Sequence, residues 1–142
     1  MKILFKNATL IHEKSPFHNQ KKDVLVVDGI LTQIEDQIEN NEATVIAYND
    51  LHLSSGWFDP CVSFGEPGFE ERETLANGLQ TAAKSGFTHI LLHPDTHPAL
   101  DSFTDVSHIL QQGLNKATAL HVSASLSEGS QGKNLAPLFE MH

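Results

Sequence analysis

Two short stretches hold the residue types that could do chemistry. "FDPCVSFGEPG" places Asp59, Cys61 and Ser63 at the end of an apolar run, and "HPDTHP" places His93, Asp95 and His97 at alternate positions. Carboxylate, thiolate and imidazole are all ligands for zinc, and a bound zinc lowers the pKa of its water to about 7, which makes a hydrolytic nucleophile. A neutral serine hydroxyl is a poor substitute, so Cys61-Val62-Ser63 supplies one credible donor where a clasp needs two. The alternate spacing of His93, Asp95 and His97 suits a metal site, but Pro94 and Pro98 bend the backbone between them. Nine histidines in 142 residues also make close pairs ordinary, so these three read first as solvated loop residues.

Other candidates have simpler readings. Cys61 as a nucleophile lacks a sequence-local histidine base, and a lone cysteine in an apolar strand reads as a small buried hydrophobe. His108 and His121 read as structural residues on a helix and a strand. "EERE" at 70–73 reads as the acidic first turn of a helix, where carboxylates favour the positive end of the dipole.

These residues need elements to position them. Residues 1–55 read as short strands and turns: "KILFKNATLI" as two pieces around Lys6-Asn7, "DVLVVDGILTQIED" as a hairpin about Asp28-Gly29, and "ATVIAY" as a further strand, with "HEKSPFHNQKK" a loop. From Gly56 the pattern changes. "WFDPCVSF", "FTHILLH" and "TALHVSA" read as strands. Between them Leu75, Leu79 and Ala82/Ala83, and then Phe103, Val106, Ile109, Leu110 and Leu114, fall at helical spacing. A last helix is expected from near Lys133, with Leu135, Leu138 and Phe139 on one side. Strand alternating with helix implies right-handed β/α units and a parallel sheet. The sequence stops at "LFEMH" without a helix stop, and three β/α units cannot close an eight-stranded barrel, so the chain reads as the N-terminal fragment of a longer protein.

Composition narrows the class. Hydrophobic residues make up 39% and charged residues 19%, which suits a folded domain. Eighteen acids against nine Lys plus Arg give a net charge of −9, which opposes attraction to nucleic acid and to anionic membranes. No apolar run approaches a membrane span, and the N-terminus lacks the features of a signal peptide. A single cysteine fits a reducing, cytoplasmic setting.

Residues 55–101, "SGWFDPCVSFGEPGFEERETLANGLQTAAKSGFTHILLHPDTHPALDS", resemble the start of the barrel in dihydroorotases of the cyclic amidohydrolase group. Asp59, Glu66-Pro67-Gly68, Glu73-Thr74, Gly78, Ala82-Ala83, Gly86-Phe87-Thr88, Pro94, Thr96, Pro98 and Asp101 fall in register with that family's pattern. The resemblance implies an α/β protein with a small β domain: part of a β-sandwich over 1–55, then the first three β/α units of a TIM-barrel amidohydrolase over 56–142, the barrel incomplete in this chain. Its reactive positions are altered. The two first-strand histidines of the family's metal motif fall on Cys61 and Ser63, its substrate-binding arginine on Gly65, and its substrate-binding asparagine on Asp95.

The resemblance therefore implies a dihydroorotase-like protein that is catalytically inactive and has a structural or regulatory role in pyrimidine biosynthesis. Its expected partner is aspartate transcarbamoylase or a second copy of itself; no cofactor is expected. The alternative is an active, zinc-dependent cyclic amidohydrolase with a rearranged site built from Asp59, Cys61 and the His93/Asp95/His97 group.

Overall fold

The computed structural model describes residues 1–141, which divide into two compact units at Ser55/Gly56. The first is a five-stranded sheet. Strands β1 (Lys2–Ile11), β2 (Lys21–Val27) and β3 (Ile30–Glu35) run antiparallel in the order β3-β2-β1. Two three-residue strands, β4 (Thr44–Ile46) and β5 (His52–Ser54), both pair in parallel with β1. Asp28 and Gly29 both have positive φ, 49° and 81°, as a two-residue hairpin turn between right-twisted strands requires. Leu4, Leu25 and Ile38 form its buried core.

The two pieces expected around Lys6-Asn7 are one strand with a bulge. Register shifts between Phe5 and Ala8, and Asn7 has φ 52°. A bulge frees a backbone N–H, and Asp23 takes it: Asn7 N donates to Asp23 Oδ1 at 2.8 Å. The other carboxylate oxygen accepts from Lys6 Nζ at 2.5 Å and from Ile38 N at 2.9 Å. Asp23 is only 3% exposed. Burial alone would favour its protonated form, but the Lys6 ammonium and the two backbone N–H groups outweigh it and hold the carboxyl below the usual aspartate range.

The second unit has the expected β/α rhythm: β6 (Trp57–Val62), α1 (Leu75–Lys84), β7 (Phe87–Leu92), α2 (Phe103–Gln112) and β8 (Ala119–Val122). The strands form a parallel sheet in the order β6-β7-β8. Leu75 and Leu79 of α1 and Ile109 of α2 bury against Ile90 and Leu92 of β7 and against Leu100. Each helix opens on a hydroxyl cap: Thr74 Oγ1 accepts from Asn77 N, and Ser102 Oγ from Asp105 N.

Two expectations are corrected here. "EERE" lies ahead of α1, whose N-cap is Thr74, so no acid stands in its first turn. No α-helix forms from Lys133 among the described residues. The chain after β8 folds on itself instead, through a 3-10 turn at Glu128–Ser130 and a bridge between Ser127 and Leu135. Glu128 N donates to Asn134 O, and Ala136 N to Leu126 O. Those bonds use backbone groups that a helix would need, and Pro137 has no N–H to give one.

Candidate functional site

The site residues lie where strands of the parallel sheet run into the loops before α1 and α2, the end at which such folds place ligands. On β6, Asp59 pairs with Ile90 but Val62 with Leu92, so β6 carries one residue more than β7 over this step. The strand bulges there, and Asp59 Oδ1 accepts the Cys61 N–H at 3.0 Å. Cys61 is consequently exposed, not the buried hydrophobe its apolar surroundings suggest. The break in alternation moves it out of the core.

The two loops are tied together. Ser63 Oγ donates a short hydrogen bond to Asp95 Oδ2, so two of the candidate site residues bond to each other. His97 N donates to Pro67 O at 2.9 Å, and the His97 and Phe69 rings pack with centroids 6.3 Å apart. Gly68, at φ 96°, lies so close that a Cβ there would stand 2.0 Å from His97 O. Only glycine fits.

Gly65 has an equally specific role. Its carbonyl accepts the Phe69 N–H at 2.8 Å, closing a tight turn, and its φ is 101°. A Cβ on it would stand 2.8 Å from Phe69 O, so this turn has no room for a side chain there. The one arginine, Arg72, instead stacks over the Phe69 ring with its guanidinium carbon 4.1 Å from the centroid.

The acids of this loop also have structural partners. Glu66 Oε2 accepts the Leu75 N–H at 2.5 Å and so caps α1 from outside. Glu70 Oε1 accepts the Gly68 N–H at 2.9 Å; that bond and one from its own N–H hold its carboxyl below the usual range. A cavity of about 360 Å³ beside β6 is lined by Asp59, Ser63, Phe64, Glu73 and Gly78 among others. Its ionisable groups are acids.

The suspected replacement ligands do not converge. Asp95 is bound to Ser63, His93 Nε2 stands 3.4 Å from the Pro60 carbonyl oxygen, and the His97 ring packs on Phe69. Among the described residues no group of three or more His, Cys, Asp or Glu side chains is placed to hold a metal ion. A catalytic zinc needs three protein ligands and an open position, so these residues do not fit one.

His108 lies beside Gln112 on α2, Nε2 to Nε2 at 2.9 Å. His121 meets His89, a residue the sequence reading did not single out. The signal for that pair is strand alternation combined with the β7-β8 register, and register is not legible before the fold.

No family model matches the sequence. Curated relatives do. The dihydroorotase of Pelotomaculum thermopropionicum is 32% identical over 141 residues, 99% of this chain and 33% of the relative, and that of Elusimicrobium minutum is 32% identical over 143 residues with the same coverage. The chain thus spans about a third of the length of these relatives. Among solved structures, L-hydantoinase from Arthrobacter aurescens superposes with a TM-score of 0.68 at 19% identity, over 88% of this chain and 28% of that one. A dihydroorotase superposes at 0.63 with 14% identity, over 90% of this chain and 32% of that one. The matched part of each shares this chain's fold, a β-rich first part followed by β/α units, and the barrel is incomplete in this chain. The chain belongs to the dihydroorotase family of cyclic amidohydrolases.

Proposed function

We propose that this dihydroorotase-like protein does not hydrolyse a cyclic amide and serves pyrimidine biosynthesis in the cytoplasm through protein contacts, with aspartate transcarbamoylase as partner. The observation that carries this reading is the Ser63–Asp95 hydrogen bond. Two positions that would serve metal and substrate in an active relative are bonded to each other, in a loop whose Gly65 turn leaves no room for an arginine.

Electrostatics supports the same reading. A substrate carboxylate needs a fixed, unshared cation, and bidentate arginine supplies it best. Here Arg72 lies on Phe69, while Glu73 stands ahead of α1 and Asp95 in the loop after β7. An anionic substrate meets repulsion there. The ordered turn, caps and loop-to-loop bonds remain, which is what a binding surface requires.

The test has two arms. Purified chain supplied with zinc is expected to show no dihydroorotate hydrolysis, and to co-elute with the same organism's aspartate transcarbamoylase in size-exclusion chromatography. Hydrolysis with near-stoichiometric zinc, both lost on Cys61→Ala or His93→Ala, would establish the rearranged metal site instead. Separate elution at micromolar concentrations would remove the partner.

A further inference from the structure

The face of the β6-β7-β8 sheet turned away from the helices carries two imidazoles in contact. Ile90 and Leu92 of β7, with Leu120 and Val122 of β8, belong to the core that includes Leu75, Leu79 and Ile109. Side chains alternate along a strand, so His89 and His121 take the opposite face, where both are exposed. The register pairs His89 with Ala119 and His121 with Leu91, which sets the two histidines diagonally across adjacent strands. Nδ1 of His89 stands 3.1 Å from Nε2 of His121, with the rings stacked at 23° and 5.3 Å between centroids. Phe58 of β6 packs edge-on against His121 at 6.3 Å.

We propose that His89 and His121 form a bidentate site for a borderline divalent transition-metal ion, Cu²⁺ ahead of Ni²⁺ and Zn²⁺. The nitrogen separation is that of a chelate, and a modest rotation of the two exposed rings turns their lone pairs to a common point. With metal–nitrogen bonds of about 2.0–2.1 Å, a nitrogen separation of 3.1 Å corresponds to an angle at the metal of about 95–100°, between octahedral and tetrahedral values. The free pair shares one hydrogen between facing nitrogens; on binding, the donating ring gives up that proton to solvent and takes one up on its other nitrogen, so that both facing nitrogens present lone pairs. Imidazole donors favour copper, nickel and zinc over magnesium, calcium and manganese. Water completes the coordination, since the described residues offer no third protein donor. Such a site binds weakly and reversibly, in contrast to a catalytic zinc centre. It is distinct from the Cys61 and Ser63 positions and does not depend on the reading given for them.

Calorimetric titration of the tag-free 142-residue chain with Cu²⁺, Ni²⁺, Zn²⁺ and Mn²⁺ tests the proposal. One saturable site is expected, tightest for Cu²⁺ and absent for Mn²⁺. It should be lost in His89→Ala and in His121→Ala and kept in His108→Ala. Should either alanine variant fail to fold, imidazole ¹H–¹⁵N spectra of the unaltered protein with Zn²⁺ decide: Nδ1 of His89 and Nε2 of His121 must shift, and the His108 nitrogens must not. Binding that survives both substitutions, or zinc shifts centred on His93 instead, would overturn the site. Metal lost on His121→Ala but retained on Cys61→Ala supports it and leaves the absence of a catalytic zinc intact.

Discussion

Single residues decide what the loops of the candidate site can accommodate. Gly65 is informative because its replacement is sterically determined: a side chain would strain a backbone at φ 101° and crowd Phe69 O. Gly65→Ala is therefore expected to lower stability by about 1–3 kcal/mol, read as a shift in urea midpoint. Gly65→Arg should cost at least as much, without conferring affinity for a carboxylate ligand. A stable Gly65→Arg protein would show that the loop relaxes easily. Asp23 makes the second case. Its folded pKa is depressed, so the unfolded chain binds its proton more readily; the stability it contributes is present above the ordinary value of 3.8 and is lost as pH falls through the lower folded value. Asp23→Asn should cost about 1.5–3 kcal/mol near neutral pH, a range that allows for the half-exposed Lys6 partner, and should flatten the acid limb of a stability-against-pH curve. An unchanged acid limb would mean that Asp23 is not the titrating group.

Elements show which parts of the fold were legible in the sequence. The hairpin at Asp28-Gly29, β7 and α2 follow from short-range rules, a turn that needs positive φ and a period of 3.6 or 2. What escaped depends on partners remote in sequence. The Asn7 bulge needs Asp23, and the β6 bulge that exposes Cys61 is defined only against β7. "EERE" misleads because Glu70 braces the preceding turn and Glu73 accepts the N–H of Thr74 itself, leaving Thr74 as the N-cap. The expected helix from Lys133 yields to backbone pairing between residues 126–128 and 134–136, a competition that helical periodicity ignores. The family resemblance singled out Ser63 and Asp95 separately, but the bond between them was not legible, since it spans two loops. If Thr74 is the cap, Thr74→Ala should destabilise the second unit by about 1 kcal/mol and Thr74→Asp should largely preserve it, by thermal or urea unfolding. Equal loss in both variants would point to packing as the role of Thr74.

At the scale of the whole molecule the dominant property is charge, since 18 acids against 9 Lys plus Arg leave a net −9 on 142 residues. A surface of one sign acts on encounter more than on final affinity: it speeds approach to a positively charged patch and slows approach to a negative one. If the chain assembles with aspartate transcarbamoylase as proposed, the docking surface on that partner should be basic. The association rate, measured by stopped flow or surface plasmon resonance, should then fall steeply as NaCl rises from about 50 to about 500 mM, while the dissociation rate changes little, because the Debye length contracts from roughly 14 Å to roughly 4 Å over that range. A salt-independent association rate would mean that contact is made through apolar surface and that the acidic excess serves only solubility. An association rate that rises with salt would place an acidic surface on the partner and argue against a steered complex. The same titration separates this contact from the two-histidine metal site, because cation binding to an acidic protein should also weaken with salt, but only His121→Ala should remove that binding while leaving the encounter rate with the partner unchanged.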